Sequence, residues 1–234
     1  MIYDTLAKHY DDLVKDDQAT KCWVKWIEDK IEPCSLLELA CGSGEITLAL
    51  ANDGFKVSAL DLSERMIDQA KKKDVNNQIQ FACQDMKDLS NYGTFDAITC
   101  LCDSFNYILS HEEVETFFQE VHNHLNENGI FFFDTHSLDR LDEFKEEFNE
   151  TGDFGDCQYQ WSIMSEDDYV YQDFAFYLDN GYVIQEHHIQ RVYQPGWLKE
   201  ILEKNFDILQ ITTDFDLEGI QEGEKYFYVC RRKK

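Results

Sequence analysis

The chain has 234 residues and a formal net charge of −26, from 47 acidic and 21 basic side chains. Such an acidic chain repels a phosphate backbone, so nucleic acid is not an expected partner. Hydrophobic residues form 43% of the sequence and prolines number only 2, which excludes a disordered or low-complexity chain.

Eight cysteines are present, without the C-x-x-C spacing of common metal sites. Because several lie in apolar runs, we expect free, buried thiols in a reducing cytosol. The N-terminal segment contains acidic residues and no long apolar run, so neither a signal peptide nor a membrane span is expected. These features favour a cytoplasmic protein, a monomer or homodimer, with no metal site and no membrane partner.

Two amphipathic helices are predicted at the start of the chain, over residues 2–14 and 19–31, before Pro33. An alternation of apolar strands and amphipathic helices follows. Strands are predicted over 36–40, 56–60, 79–82, 95–101 and 130–134, with helices over 45–52, 63–73 and 112–125. This alternation predicts βαβ units in a parallel sheet, and the unbroken apolar strands indicate burial on both faces.

The pattern changes after Asp134. Residues 138–156 are acidic and predict a helix followed by a loop. Aromatic segments with alternating polarity then predict about three antiparallel strands, over 158–165, 169–178 and 182–193. A helix beginning at Pro195 and two strands, over 207–213 and 225–230, complete the chain.

These elements predict a single α/β domain over residues 1–234. Its doubly wound, mostly parallel, seven-stranded Rossmann-like sheet carries an inserted antiparallel sheet. The predicted parts are N-terminal helices (1–33), a cofactor-binding core (34–137 and 194–234), and an acidic linker with an antiparallel substrate cap (138–193).

A glycine turn is the strongest functional signal in the chain. Gly42 and Gly44 lie between a predicted strand and helix, where the lack of side chains permits a tight turn close to a ligand. Ala40 occupies the place often held by a first glycine. Asp61 ends the next strand, 19 residues after Gly42, where a carboxylate can accept both hydroxyls of a ribose. We therefore predict a site for a nucleoside-bearing cofactor; an ordinary strand–turn–helix connection is the alternative.

Two residues near the turn discriminate between cofactors. The dinucleotide fingerprint requires a third glycine at the position held here by Thr47. Glu38, within the first strand, would repel a pyrophosphate but attract an ammonium or a sulfonium. Charge therefore favours S-adenosylmethionine over NAD.

Four motifs follow one another along the chain: LELACGSG at 37–44, LDLS at 60–63, QDM at 84–86 and FDAITC at 95–100. In order and spacing they resemble the motifs of class I S-adenosylmethionine-dependent methyltransferases. With the Tyr10-Asp11 pair and the insertion, they are most similar to uncharacterised bacterial small-molecule methyltransferases and to the nucleotide-aminosugar N,N-dimethyltransferases.

The resemblance implies a role for each matching residue. Ala40 and Gly42 would contact the methionine part, with Glu38 near its amino group, and Gly44 would complete the turn. Asp61 would hold the ribose. The remaining expected contacts are with adenine (Leu62, Asp85 and Met86), with the methyl-transfer site (Leu101), and with the sulfonium from above (Tyr10).

Methyl transfer requires mainly an aligned and unprotonated acceptor. His136 follows the end of an apolar strand, so we expect it to orient or deprotonate the substrate; a packing or capping histidine is the alternative. Tyr10 is the second catalytic candidate. Candidate substrate contacts lie after the fourth strand (Asp103, Asn106 and Tyr107) and on the inserted sheet (Trp161, Glu186 and His188). The alternative for Asp103 is the cap of a short helix, and the alternative for aromatic residues on the strands is packing.

The predicted function is transfer of a methyl group from S-adenosylmethionine to a small molecule, with an amine favoured by the acidic charge. S-Adenosylhomocysteine would be the product. The alternatives are an RNA or protein methyltransferase, or a cofactor-binding protein without turnover; a nucleotide-dependent oxidoreductase is a more distant one.

Overall fold

The computed structural model describes residues 5–234 of the chain. The helices are α1 (Leu6–Val14), α2 (Asp17–Glu28), α3 (Glu45–Asn52), α4 (Glu64–Lys73), α5 (His111–Asn123), α6 (Asp139–Glu143) and α7 (Pro195–Asn205), with a 3₁₀ helix at Ser104–Tyr107. The strands are β1 (Ser35–Leu39), β2 (Lys56–Asp61), β3 (Gln80–Cys83), β4 (Phe95–Cys100), β5 (Leu125–His136), β6 (Phe148–Asp153), β7 (Cys157–Glu166), β8 (Tyr169–Leu178), β9 (Val183–Arg191), β10 (Phe206–Thr213), β11 (Leu217–Glu218) and β12 (Lys225–Arg232).

The central sheet has the strand order β11-β10-β12-β5-β4-β1-β2-β3. Strands β1 to β5 are parallel to one another, whereas β12 pairs antiparallel with both β5 and β10. The predicted α/β class and mostly parallel sheet are confirmed. The sheet has an eighth strand, β11, which escaped prediction because two residues give no periodic signal.

Helices cover both faces of the central sheet, which explains its apolar strands. In β5, Phe131 and Phe133 belong to the cluster formed with α5 and α7, while Phe132 faces the cluster formed with α2. Trp26 of α2 meets Phe132 edge to face, with 5.4 Å between ring centroids. The three consecutive phenylalanines are thus divided between two hydrophobic layers, as alternation along a strand requires.

The inserted sheet is antiparallel and has the order β6-β7-β8-β9. The three predicted strands are present, but the expectation of only a loop after the helix in 138–156 is wrong, because β6 lies there and pairs with β7. Its sequence, FNETGD, lacks the apolar alternation of a strand, and most of it is solvent-exposed or half-buried. Pairing with β7 stabilises this polar edge strand, and that pairing is not visible locally.

Several element boundaries also differ from prediction. The helix predicted over 112–125 ends at Asn123, and β5 begins at Leu125 with an irregularity before Ile130, where Asn128 has a φ of 66°. The helix predicted to reach residue 31 ends at Glu28. The first helix begins at Leu6, and residues 2–4 of its predicted range lie outside the described residues.

Within residues 5–234, none of the helices combines the length and apolar character needed to cross a membrane. The eight cysteines form no disulfide; four of them are buried (Cys41, Cys100, Cys157 and Cys230).

Candidate active site

The glycine turn after β1 requires left-handed backbone at three positions. Ala40 and Gly42 each have a φ of 54°, and Gly44 has a φ of 83° as the N-terminal cap of α3. A Cβ atom on Gly44 would lie 2.9 Å from the Cβ atom of Ala70 in α4. Gly44 is therefore needed where α3 approaches α4, and it does not line the adjacent cleft.

Asp61 at the end of β2 joins the turn to the neighbouring strand. Its Oδ2 accepts a hydrogen bond from the amide of Gly42, and its Oδ1 accepts one from the amide of Ser63, both at 2.8 Å. Burial raises the pKa of this carboxyl group, while the two amide donors oppose the shift. Each oxygen retains a lone pair at the cleft, which suits the hydroxyl donors of a ribose.

Glu38 is a buried carboxyl group on the cleft wall. Its side chain lies on β1 with only 3% exposure, and no described residue donates a hydrogen bond to its Oε2. Burial raises its pKa to about 7, and the nearby hydroxyl of Thr47 opposes this shift. A buried carboxylate oxygen without a donor is costly, so a cationic group bound beside it would stabilise the site.

A cleft of about 960 Å³ lies beyond the carboxyl ends of β1, β2 and β4. In parallel sheets, ligands bind at this edge, where the strand order reverses. Apart from Gly44, the residues predicted to bind the cofactor all line this cleft: Tyr10, Glu38, Ala40, Gly42, Asp61, Leu62, Asp85, Met86 and Leu101. Their side chains provide carboxylates on one side and an exposed apolar surface, chiefly Leu62, on the other.

Helix α1 covers the glycine turn. The ring of Tyr10 lies over Gly42, and the hydroxyl of Ser43 donates a 2.6 Å hydrogen bond to Asp11. Lys73 forms ion pairs with Asp11 and with Glu45 of α3. Sequence reasoning identified Tyr10 but missed this clamp, because its members lie on three separate helices and a turn.

His136 lies behind the cleft wall, not on its surface. Its side chain is 4% exposed, and its Nε2 atom is 3.0 Å from Oε1 of Gln190. Its Nδ1 atom is 3.4 Å from Oδ1 of Asp103. The strand-end position predicted for His136 is correct, but β9 and the 3₁₀ helix cover it, so its position does not support direct contact with an acceptor.

Asp103, a predicted substrate contact, belongs to the same buried layer. It bonds to Lys225 Nζ at 2.9 Å, and its amide donates to Asp134 at 2.9 Å. Although burial opposes ionisation, His136 and Lys225 hold the pKa of Asp103 below its usual range. Burial raises the pKa of Asp134 to about 7 despite the nearby ammonium. Asp103, Asp134, His136 and Lys225 thus form a charged layer beneath the floor of the cleft.

Asn106, another predicted substrate contact, is fully engaged within the protein. Its amide nitrogen donates to Oγ1 of Thr135 at 2.9 Å and to the carbonyl of Arg191 at 2.6 Å. Its Oδ1 accepts from the amide of His136 at 3.0 Å. These bonds join β5 to β9. Asn106 therefore stabilises the packing of the two strands and does not face a ligand.

Tyr107 lines the cleft, and its hydroxyl connects to two further predicted residues, His188 and Glu186. Its hydroxyl lies 3.1 Å from Nδ1 of His188, and burial lowers the pKa of His188 to about 4. Nε2 of His188 lies 3.9 Å from Oε2 of Glu186. Oε1 of Glu186 accepts hydrogen bonds from the amides of Thr5 and Leu6, at the start of α1.

The inserted sheet presents a different face to the cleft from the one predicted. Glu186, His188 and Gln190 share one face of β9, as alternation along a strand requires, and that face is buried. His187 and Ile189, on the opposite face of β9, line the cleft and were not predicted. Trp161 lies away from the cleft and stacks on Phe174, with 5.2 Å between the ring centroids. It packs within the inserted sheet, in agreement with the alternative reading.

Comparison with known proteins identifies the family. Residues 36–129 match the family described as "Methyltransferase domain". The chain is 34% identical to YqeM of Bacillus subtilis strain 168, a protein named only as a methyltransferase, over 100% of this chain and 98% of that one. It also resembles the crystal structure of an S-adenosylmethionine-dependent methyltransferase from Clostridium acetobutylicum ATCC 824, with 28% identity, a TM-score of 0.84 and 99% coverage of both chains. The chain belongs to the S-adenosylmethionine-dependent methyltransferases.

This methyltransferase also shares its fold with CalS10 from Micromonospora echinaspora, an amino pentose methyltransferase solved with S-adenosylmethionine bound. The two chains are 13% identical, with a TM-score of 0.73 over 97% of this chain and 95% of that one. S-Adenosylmethionine is the methyl donor of the family, and the buried carboxyl group of Glu38 together with the open lone pairs of Asp61 fits this cationic nucleoside.

Proposed function

We propose that this methyltransferase transfers the methyl group of S-adenosylmethionine to the nitrogen of a small-molecule amine. The observation that carries the proposal is that Tyr107 lines the cleft while its hydroxyl bonds to the buried His188 at 3.1 Å. The cofactor supplies a methyl carbon already activated by its sulfonium, so the protein mainly has to bind, orient and desolvate the reactants.

The donor half of the cleft suits each part of the cofactor. Glu38 would pair with the amino group of the methionine part, and Asp61 would accept the ribose hydroxyls. The exposed side chain of Leu62 and the neighbouring Met86 would contact the faces of adenine, with Asp85 near its amino group. Tyr10 would present its ring to the sulfonium.

The acceptor half contains a hydrogen-bond acceptor with a fixed direction. Glu186 lies 3.9 Å from Nε2 of His188 and favours a proton on that nitrogen. Nδ1 of a neutral His188 then accepts the hydrogen of the Tyr107 hydroxyl, and the low pKa of about 4 keeps the ring neutral. Because Tyr107 lines the cleft, its phenol oxygen would accept an N–H hydrogen bond from the substrate and direct the nitrogen lone pair toward the methyl group.

The charges of the cleft also favour a neutral or cationic acceptor. Its described lining includes seven acidic residues and three basic ones. A negative potential of this kind attracts amines and repels the phosphates of RNA. The fold shared with an amino pentose methyltransferase is compatible with an amine acceptor.

The test is formation of S-adenosylhomocysteine with a panel of amines, each paired with the matching alcohol and thiol. We expect turnover of amines, with a rate that rises as pH rises through the pKa of the acceptor, since only the neutral amine reacts. Turnover confined to the alcohols or thiols, or to an RNA or protein acceptor, would contradict the amine assignment.

Tyr107→Phe tests the proposed acceptor contact. Loss of one hydrogen bond to the reacting nitrogen should lower kcat/KM by about 10- to 100-fold while the Kd for S-adenosylmethionine stays unchanged. Tyr182→Phe is the matched control, because Tyr182 is 71% exposed and lies outside the cleft lining. Equal kcat/KM values for the two variants would exclude Tyr107 from the acceptor site.

A further inference from the structure

Three potential metal ligands converge where α1 meets the inserted sheet. They are His9 of α1, Cys157 at the start of β7, and Asp156 just before it. Nε2 of His9 lies 3.3 Å from Oδ1 of Asp156 and 3.8 Å from Sγ of Cys157. All three ligand atoms lie within 4.8 Å of one another.

These separations agree with the edges of a metal coordination tetrahedron. For zinc bonds of about 2.0 Å to nitrogen or oxygen and about 2.3 Å to sulfur, the nitrogen–oxygen edge is about 3.3 Å and an edge to sulfur is about 3.5 Å. The two distances from His9 Nε2 lie within about 0.3 Å of these values. A nitrogen, a thiolate sulfur and a carboxylate oxygen form a donor set that suits zinc and other borderline divalent ions, and not magnesium or calcium.

The histidine is already arranged as a ligand. Its ring is buried and stacks on Phe154 with 4.4 Å between centroids, which fixes its orientation. Nδ1 lies 3.9 Å from a carboxylate oxygen of Asp12, which favours a proton on Nδ1 and leaves the lone pair of Nε2 toward the cluster. A carboxylate behind a ligating imidazole is a common arrangement in zinc sites.

The ammonium group of Lys8 supplies a positive charge beside this cluster. The ammonium of Lys8 contacts Asp156, but the Lys8 side chain is 63% exposed and can turn into solvent when a metal ion binds. The side chain of Cys157 is buried, with its sulfur 3.8 Å from Nε2 of His9.

We propose that His9, Asp156 and Cys157 bind one zinc-class divalent ion, with water as the fourth ligand. The ion would join α1 to the inserted sheet, since His9 belongs to the helix and the other two ligands to the start of β7. Tyr10, which covers the glycine turn, is the next residue after His9. Metal binding would thus hold the cover of the cleft in place, independently of which acceptor the enzyme uses.

The test uses the full-length protein, freed of metal with a chelator and titrated with Zn²⁺ against a chromogenic competitor. We expect one high-affinity Zn²⁺ per chain and a rise in Tm on binding. His9→Gln, Asp156→Asn and Cys157→Ser should each weaken binding by at least about tenfold, because each removes one of three protein ligands. Cys22→Ser is the matched control, since Cys22 is exposed and lies on α2.

Cobalt provides a second, spectroscopic measurement. Co²⁺ should give a thiolate-to-metal charge-transfer band in the wild type and in Cys22→Ser, and no such band in Cys157→Ser. If the buried variants fail to fold by circular dichroism, Asp156→Asn decides, because Asp156 is exposed. Absence of stoichiometric Zn²⁺ in the wild type, or unchanged affinity in folded Asp156→Asn, would overturn the proposal.

Discussion

Binding of the cofactor should release a proton from Glu38. This carboxyl group is buried with a pKa of about 7, so in the free protein it is largely protonated at pH 6 and largely ionised at pH 8. The amino group of S-adenosylmethionine would pair with the ionised form only. The perturbation that tests this coupling is Glu38→Gln, which keeps the shape of the side chain and removes its titration.

The magnitude follows from linkage. If only the carboxylate binds, the Kd of the wild type at pH 6 should be about tenfold weaker than at pH 8, and binding at pH 6 should release about 0.9 proton. Glu38→Gln should lose about 2–5 kcal/mol of binding free energy at pH 8, which is at least about thirtyfold in Kd. The Kd of Glu38→Gln should therefore lack the tenfold change between pH 6 and pH 8 that arises from the Glu38 carboxyl group.

Stability provides an independent check on the same group. The pKa of Glu38 is raised from 4.5 to about 7 on folding, so the folded state holds its proton more tightly than the unfolded state. The stabilising contribution of the protonated group is present in full below pH 4.5 and is lost as pH rises to 7. The free energy of unfolding should therefore fall by about 3 kcal/mol over this range, and Glu38→Gln should remove that fall.

The assay is isothermal titration calorimetry at pH 6 and pH 8, in pairs of buffers with different ionisation enthalpies. The amino group of the ligand titrates in both proteins, so the difference between wild type and Glu38→Gln isolates the side chain. Glu28→Gln on α2 is the control, because Glu28 is exposed and is not among the residues that line the cleft. Equal proton release in the wild type and Glu38→Gln would refute the assignment of Glu38 to the amino group.

Two further substitutions test the surroundings of the site. Gly44→Ala should lower the free energy of unfolding by about 1–3 kcal/mol in urea titrations, because the φ of Gly44 is 83° and a Cβ atom there would clash with Ala70. Gly196→Ala in α7 is the control and should not lower it, because a Cβ atom at Gly196 meets open space. Lys225→Met should cost about 3–5 kcal/mol at pH 7, since it leaves Asp103 and Asp134 facing each other, and the loss should shrink in acid as these carboxyl groups take up protons. Lys199→Met, exposed on α7, is its control; losses as large in the controls would contradict both explanations.

The residues at the cleft surface were largely predictable because their signals are local. A glycine turn, a strand-ending Asp61 and an acidic Glu38 each reflect the backbone or the charge at one position. The buried layer behind them was not predictable in the same way. His136 was expected just after the end of its strand at Asp134, and it is the last residue of β5. It is covered by β9 because Gln190, 54 residues further along the chain, bonds to it.

Long-range pairing explains the other differences. β6 is a strand because β7 stabilises it, and Lys225 contributes to the site because β12 pairs with β5. The proposed metal ligands His9 and Cys157 are 148 residues apart, so no spacing in the sequence indicates them. Contacts of this kind arise from the packing of whole elements, not from local propensity.

The sequence by itself determined the alternation of strands and helices, the position of the cofactor turn and the charge that favours a sulfonium donor. These follow from periodicity and from residue chemistry, which act over a few neighbouring residues. Only the tertiary structure decided which polar side chains face the cleft. On β9 it buried Glu186 and His188 and turned His187 and Ile189 outward, because the orientation of a strand depends on the surface against which it packs.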